Sequence, residues 1–180
     1  FEKNGKTVTL TREPGGTTLG NDLRKILLDN KTGHISPRSE ALLYAADRAH
    51  HVYSLIKPAL ERGDVVITDR YFDSSIAYQG AGRTLSTGEV ARINRWATES
   101  LYPTLTIILD QPAEIGLKRI TNADRLESES IDFHNRVRGE YLELASLDPE
   151  RYLVVDATQS IDDIHAHITN RLSELLPQKK

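Results

Sequence analysis

Apolar runs punctuate the chain at Lys6 to Thr11, Asp64 to Asp69, Thr104 to Asp110 and Tyr152 to Asp156. The middle two are β-branched and apolar on both faces, the pattern of strands in a parallel sheet with helices on either side. Between the runs, hydrophobic positions recur at helical spacing. Leu19, Leu23, Ile26 and Leu27 form one amphipathic face. A longer segment opens with Ser36 as N-cap and Pro37 at the first helical position. It runs towards Leu60, with a break at Pro58, and Gly63 ends it. Ser86-Thr87-Gly88-Glu89 has the spacing of a capping box and starts a helix through Trp96. Phe133, Val137, Tyr141 and Leu144 mark a further helix. Ile161, Ile164, Ile168, Leu172 and Leu175 mark the last, capped by Ser160. Strands alternating with helices predict repeated βα units and a doubly wound sheet. No repeat, low-complexity tract or linker interrupts the pattern, and Lys179-Lys180 reads as a frayed tail.

At 180 residues the chain predicts one domain with a substantial core. A net charge of −3 with 27% charged residues describes an ordinary polar surface, unlike the basic surface of a general nucleic-acid or membrane binder. Without cysteine, neither a disulfide framework nor a thiolate metal site can form. The chain also lacks methionine and opens at Phe1. The expectation is that residues precede Phe1, the alternative being that methionines are omitted.

Chemistry concentrates where apolar runs end. Asp69-Arg70-Tyr71 closes Val65-Val66-Ile67-Thr68, at the strand end where open α/β sheets bind ligands. A carboxylate there suits a metal ion or its water shell, and an Arg fork matches phosphate oxygens; a structural ion pair is the competing reading. Arg12-Glu13-Pro14-Gly15-Gly16-Thr17 follows a strand and precedes a helix. Its glycines let backbone approach a ligand, or simply make a tight turn. Tyr44 and Arg48, four apart on one helix face, can stack on and bond to a planar heterocycle, or pack and be solvated. His50 and His51 point to different sides and read as surface or packing residues. Asp73 to Gly80 is unusually polar for a segment leaving a buried strand. Ser75, Tyr78 and Gln79 there carry groups that read bases and sugars. Arg119 and Asp124-Arg125-Leu126-Glu127 lie in a polar stretch that would either close over phosphates or remain a solvated loop.

Taken in order, Thr11 to Thr17, Tyr44 to Arg48, Asp69 to Gly80 and Asp124 to Glu127 closely resemble bacterial thymidylate kinases, P-loop nucleoside monophosphate kinases, over nearly the whole chain. The resemblance implies an α/β fold of three layers. Its mostly parallel five-stranded sheet has the order 2-3-1-4-5 and is flanked by helices, with strand 1 absent from this sequence. It implies phosphorylation of dTMP to dTDP in dTTP synthesis, with ATP as donor and Mg²⁺ as cofactor. By the same resemblance Arg70 holds the acceptor phosphate with Arg24 assisting, and Glu13 lies near sugar and phosphate. Tyr44 stacks on thymine, Arg48 bonds its carbonyl edge, and Ser75 and Gln79 read the remaining polar atoms. Tyr78 packs beside the sugar. Asp69 sits near the metal, directly or through water, Arg125 belongs to a lid at about residues 119–129, and Arg119 joins it in binding ATP. A cytoplasmic homodimer follows from the same resemblance, with no nucleic-acid or membrane partner.

Two departures stand out. The family's Gly-x-x-x-x-Gly-Lys-Ser/Thr loop is missing from this sequence, and the lid is short. Without strand 1, strands 3 and 4 would face each other across a gap with unpaired backbone groups. The expectation is a strand, a phosphate loop and most of a helix ahead of Phe1, about 25 to 30 residues. Two other readings compete: a related deoxynucleotide kinase, and a degenerate kinase fold serving as a nucleotide-binding or dimerising module.

Overall fold

All four apolar runs form strands in the computed structural model, which describes residues 1–175; the Lys179-Lys180 tail lies outside them. Strand β1 (Val8–Arg12) pairs in parallel with β2 (Val65–Asp69), Leu10 opposite Ile67. Strand β3 (Thr106–Asp110) pairs in parallel with β4 (Tyr152–Asp156), Ile108 opposite Val154. The described residues thus hold two two-stranded sheets, and a single sheet in the order 2-3-1-4-5 is not seen among them. Parallel pairs need crossovers, and helices supply them, so the molecule is an α/β protein.

Helix α1 (Thr18–Leu28) starts where the Thr17 side chain accepts from the Gly20 N–H at 2.9 Å. Helix α2 (Pro37–His51) is capped by Ser36 with Pro37 in its first turn. The break expected at Pro58 arrives earlier and more gently. Residues Val52–Ile56 widen into a π-helical turn, and α3 (Lys57–Glu61) continues to the turn at Gly63. Proline has no N–H for the regular ladder and its ring crowds the preceding turn; a wider turn eases both. The polar segment after β2 is helical: α4 (Phe72–Ser75) runs into a π-helical stretch, Ile76–Gly82. Then come α5 (Thr87–Ala97), α6 (Ala113–Leu117), α7 (Ile131–Leu147) and α8 (Ile161–Leu175), with α5 where its capping residues put it and α7 and α8 where the hydrophobic period puts them.

Packing follows from these stripes. Phe133 and Val137 of α7 meet Leu27, Tyr44, Ala77 and Leu126 in one core cluster. Val52, Ile56, Tyr71, Phe72, Ile76 and Val90 form a second, between α2, α4 and α5. Helix α8 buries no residue fully, and Ile161 at its start is exposed. Asp73, buried on α4, bridges the two sheets. It accepts from Arg151 at 3.0 and 3.1 Å, from the Tyr152 hydroxyl at 2.7 Å and from the Thr106 hydroxyl at 3.2 Å.

Candidate active site

The carboxyl ends of β1 and β2 are tied together, the Glu13 N–H donating to the Asp69 carbonyl at 2.9 Å. Beside them opens a cleft of about 230 Å³. Glu13, Arg24, Tyr44, Arg48, Asp69, Arg70, Ser75, Tyr78 and Gln79 all line it, as do Asp124, Glu127 and His134. Four sequence-distant segments are thereby brought to one place. Of the expected site residues, Arg119 and Arg125 stand outside this lining.

Arg48 is the most constrained group in the cleft. It is 1% exposed, and its Nε donates to Glu13 Oε2 at 2.6 Å. One terminal nitrogen, Nη1, donates to Ser75 Oγ at 3.0 Å and to Asn94 Oδ1; the other, Nη2, donates to the Tyr71 carbonyl at 3.3 Å. A guanidinium has five N–H bonds, so four are committed and one, on Nη2, has no partner among the described residues. The other Glu13 oxygen meets His51 Nδ1 at 2.9 Å, and His51 Nε2 lies 2.7 Å from Thr11 Oγ1. Glu13, expected beside the sugar and phosphate, is 2% exposed with both oxygens engaged by protein. Ser75 and Gln79 are equally enclosed: Ser75 accepts from Arg48, and the Gln79 amide donates to Glu40 at 3.0 Å. Asp47, also on α2, accepts the Gly15 N–H at 3.2 Å. Burial first, and then the nearby Glu13 carboxylate, push its carboxyl up to about 6.

Arg70 follows β2 with φ 67, a left-handed conformation that turns the chain sharply at the strand end. Its guanidinium lies 5.0 Å from the Tyr78 ring centre. Its charge is strengthened: crowding by protein opposes it, but Tyr78, Tyr141 and Asp69 outweigh that. Tyr44 is buried, and burial raises its hydroxyl well above the ordinary value. Arg24 reaches back to the Pro14 carbonyl at 3.0 Å, which carries it to the cleft. Asp69 is exposed at the strand end. Among the described residues no cluster of three or more His, Asp or Glu side chains could hold a metal alone. A single carboxylate suits Mg²⁺, which binds through one or two carboxylates and substrate phosphates.

Residues 124–129 form a turn, with Asp124 Oδ1 accepting from the N–H groups of Leu126 and Glu127, both at 2.9 Å. Arg125 donates from Nε to the Leu27 carbonyl at 2.7 Å, and its Nη2 lies 2.6 Å from Glu40 Oε2. Glu40 also receives Arg83, whose Nε and Nη2 donate to it at 3.1 and 3.0 Å. Burial opposes the Glu40 charge, but hydrogen bonds from Arg83, Gln79 and Arg125 hold its carboxyl below the ordinary value. Arg125 is therefore latched onto α2, whereas Arg119 is exposed just beyond α6.

The model of the family described as thymidylate kinase matches residues 1–168. The chain belongs to the thymidylate kinase family. It is 52% identical to the thymidylate kinase of Clavibacter michiganensis subsp. michiganensis, with 98% of this chain and 85% of that protein covered. It is 55% identical to that of Leifsonia xyli subsp. xyli, covering 93% and 81%. The crystal structure of thymidylate kinase from Ehrlichia chaffeensis superposes with a TM-score of 0.74 at 30% identity, covering 93% of this chain and 80% of that one. Membership makes the chain a kinase of nucleotide biosynthesis. Among the described residues no helix is long and apolar enough to cross a membrane.

Several residues that line the cleft or stand behind it carry no mark in the sequence pattern. Asn94, His134 and Glu40 lie in helices whose pattern shows only where they sit along the chain. His51, read as surface or packing, is fully buried and bonded to the Glu13 carboxylate. Its one available signal was its spacing, three residues after Arg48 on the same face.

Proposed function

We propose that this cleft takes dTMP and that the enzyme transfers the γ-phosphoryl group of ATP to it, giving dTDP. The observation that carries this reading is the convergence of Arg70, Arg24, Tyr44 and Arg48 on one cleft at the carboxyl end of a parallel pair. Arg70 pairs with the acceptor phosphate, with Arg24 beside it. Tyr44 stacks on thymine, and the spare Arg48 N–H donates to its carbonyl edge. Ser75 and Gln79 serve the base through the groups they fix, Arg48 and Glu40. Tyr78, against Arg70, borders the sugar. Phosphoryl transfer asks little covalent chemistry of the protein, so these groups act by aligning the acceptor oxygen and offsetting charge. Asp69 would hold Mg²⁺, directly or through water. When bound, the ion supplies charge neutralisation on the transferring phosphoryl group.

Arg125 and Arg119 belong to a lid over residues 119–129 of a single domain, and the ATP phosphates are their targets. Reaching them requires Arg125 to leave Glu40. We also read the two sheets as flanks of one sheet in the order 2-3-1-4-5. The uncovered apolar side chains of Leu10, Ile67, Ile107 and Leu109 support a further strand and its helix between β2 and β3. The enzyme works in the cytoplasm, where its nucleotides are made, and as a homodimer.

A coupled assay with dTMP, ATP and Mg²⁺, on the protein with the expected strand and phosphate loop in place, tests the reading. Turnover is expected, and Arg70→Ala should lower kcat/KM for dTMP by about 30-fold to over 10³-fold, the loss typical of one partner of a desolvated charge pair. A folded Arg70→Ala variant with near wild-type efficiency would refute the assignment.

A further inference from the structure

The chain Thr11–His51–Glu13–Arg48 crosses from β1 to α2 and back, from a half-buried Thr11 into the interior, where Glu13, Arg48 and His51 are 2%, 1% and 0% exposed. Its polarity can be read from the donors. A carboxylate oxygen only accepts, so His51 Nδ1 carries the hydrogen toward Glu13 at 2.9 Å. In the neutral ring Nε2 then accepts, and the Thr11 hydroxyl donates to it across 2.7 Å. Glu13, with one oxygen fixed by His51, offers the other to Arg48 Nε.

Two further features belong to the same arrangement. A Cβ at Gly16 would lie 2.7 Å from His51 Nε2 and 2.5 Å from Thr11 Oγ1, so the glycine leaves the space that this contact occupies. Asp47, one turn before His51 on α2, holds the Gly15 N–H. Three residues of α2, Asp47, Arg48 and His51, therefore grip the turn that carries Glu13.

We propose that His51 is a positioning residue for base recognition, acting through Glu13 to aim the one uncommitted N–H of Arg48. The inference rests on the assignment of Arg48 to the base. A fixed N–H donor suits a pyrimidine presenting a carbonyl at that edge and opposes one presenting an amino group. His51 thus contributes to preference for dTMP over dCMP, while touching neither nucleotide.

His51→Asn and His51→Gln separate this role from packing. The Asn amide places its N–H near the former Nδ1, facing Glu13. The Gln amide reaches the former Nε2, facing Thr11, and leaves Glu13 without its donor. Steady-state kinetics on the whole protein, with dTMP and dCMP as acceptors, read the outcome, and thermal unfolding is measured alongside. His51→Gln should raise KM for dTMP and cut the dTMP/dCMP ratio of kcat/KM by about tenfold, the scale of one hydrogen bond to a charged group, while kcat and KM for ATP hold. His51→Asn should restore most of that ratio. If the two variants lose selectivity equally, or in step with their stability, the role is structural and the proposal falls. Should His51→Gln not fold, His51→Leu takes its place: it removes the donor to Glu13 while filling much of the ring's volume. The same loss of ratio is expected; an unchanged ratio overturns the proposal. Arg48→Gln distinguishes the underlying assignment: if it keeps the ratio, Arg48 does not read the base. If it loses the ratio while His51→Gln keeps it, only the positioning role fails.

Discussion

A side chain at φ 67 is uncommon, because Cβ crowds the backbone there at a cost of about 1–2 kcal/mol. Arg70 tolerates this at the end of β2, where the bend delivers its guanidinium to the cleft and against Tyr78. Arg70→Gly should therefore raise unfolding stability by about 1 kcal/mol while abolishing efficient use of dTMP, as read by denaturant titration beside the coupled assay. A less stable Arg70→Gly would show that the arginine contributes more to the fold than its backbone costs. Asp47 carries a second residue-scale consequence. Its carboxyl is raised from 3.8 to about 6, so the native state holds that proton more tightly than the unfolded chain. Stability from this source is complete below about pH 4, and it declines as pH rises through about 6. The loss is at most about 3 kcal/mol. The difference in unfolding free energy between wild type and Asp47→Asn, which cancels other titrations, should fall from pH 5 to 7 and then level. A difference flat in pH would refute the shift.

At the scale of elements, Glu40 couples α2 to both Arg83 and the turn bearing Arg125. Its lowered carboxyl gives stability that is present above its ordinary value of 4.5 and lost as pH falls through the folded value. Glu40→Gln should cost about 3–5 kcal/mol, as when one partner of a buried pair is removed. Amide exchange over residues 124–129 should accelerate with it, notably at Arg125, whose N–H donates to the Leu28 carbonyl at 3.1 Å. Unchanged exchange there would show that Glu40 does not hold the turn. Elements differ in how plainly the sequence announces them. The strands, α5, α7 and α8 lie where period and capping residues put them, because burial on one face leaves a repeating mark. Residues Ile76–Gly82 carry no such mark. Gly80 and Gly82 weaken helix propensity, yet the turn winds because both glycines are packed closely. A Cβ at Gly80 would come within 2.9 Å of Thr87, and one at Gly82 within 2.7 Å of Phe133. The same limit applies to the cleft. Arg70, Tyr44 and Arg48 stand in recognisable strings, but the partners that engage Glu13 are set by the approach of α2 to β1, which no local pattern records.

At the scale of the whole molecule, a buried carboxylate links the two sheets. Asp73 leaves α4, which follows β2, and binds Arg151 and Tyr152 at the start of β4 and Thr106 at the start of β3. The cleft side of one sheet is thus held to the other by charge as well as by core packing. Outside that frame, α2 keeps one apolar edge facing outward. Leu42, Ala46 and Tyr53 recur along it and its π-helical extension at helical spacing, and all three are exposed. Trp96, 81% exposed, stands on α5, which packs beside α2. Large apolar groups gathered on adjoining helices suit a self-complementary two-fold contact, in which the same patch meets itself. A stable dimer of this kind needs about 800 Å² from each partner, more than these side chains alone provide, so neighbouring polar residues must form its rim. Light scattering at micromolar concentration should give twice the mass of the chain. Trp96→Glu and Tyr53→Glu, each placing a charge in the buried centre, should shift that mass to the monomer while far-ultraviolet circular dichroism stays native. A wild-type monomer at those concentrations would sink the homodimer, and a dimer indifferent to both substitutions would move its contact to another face.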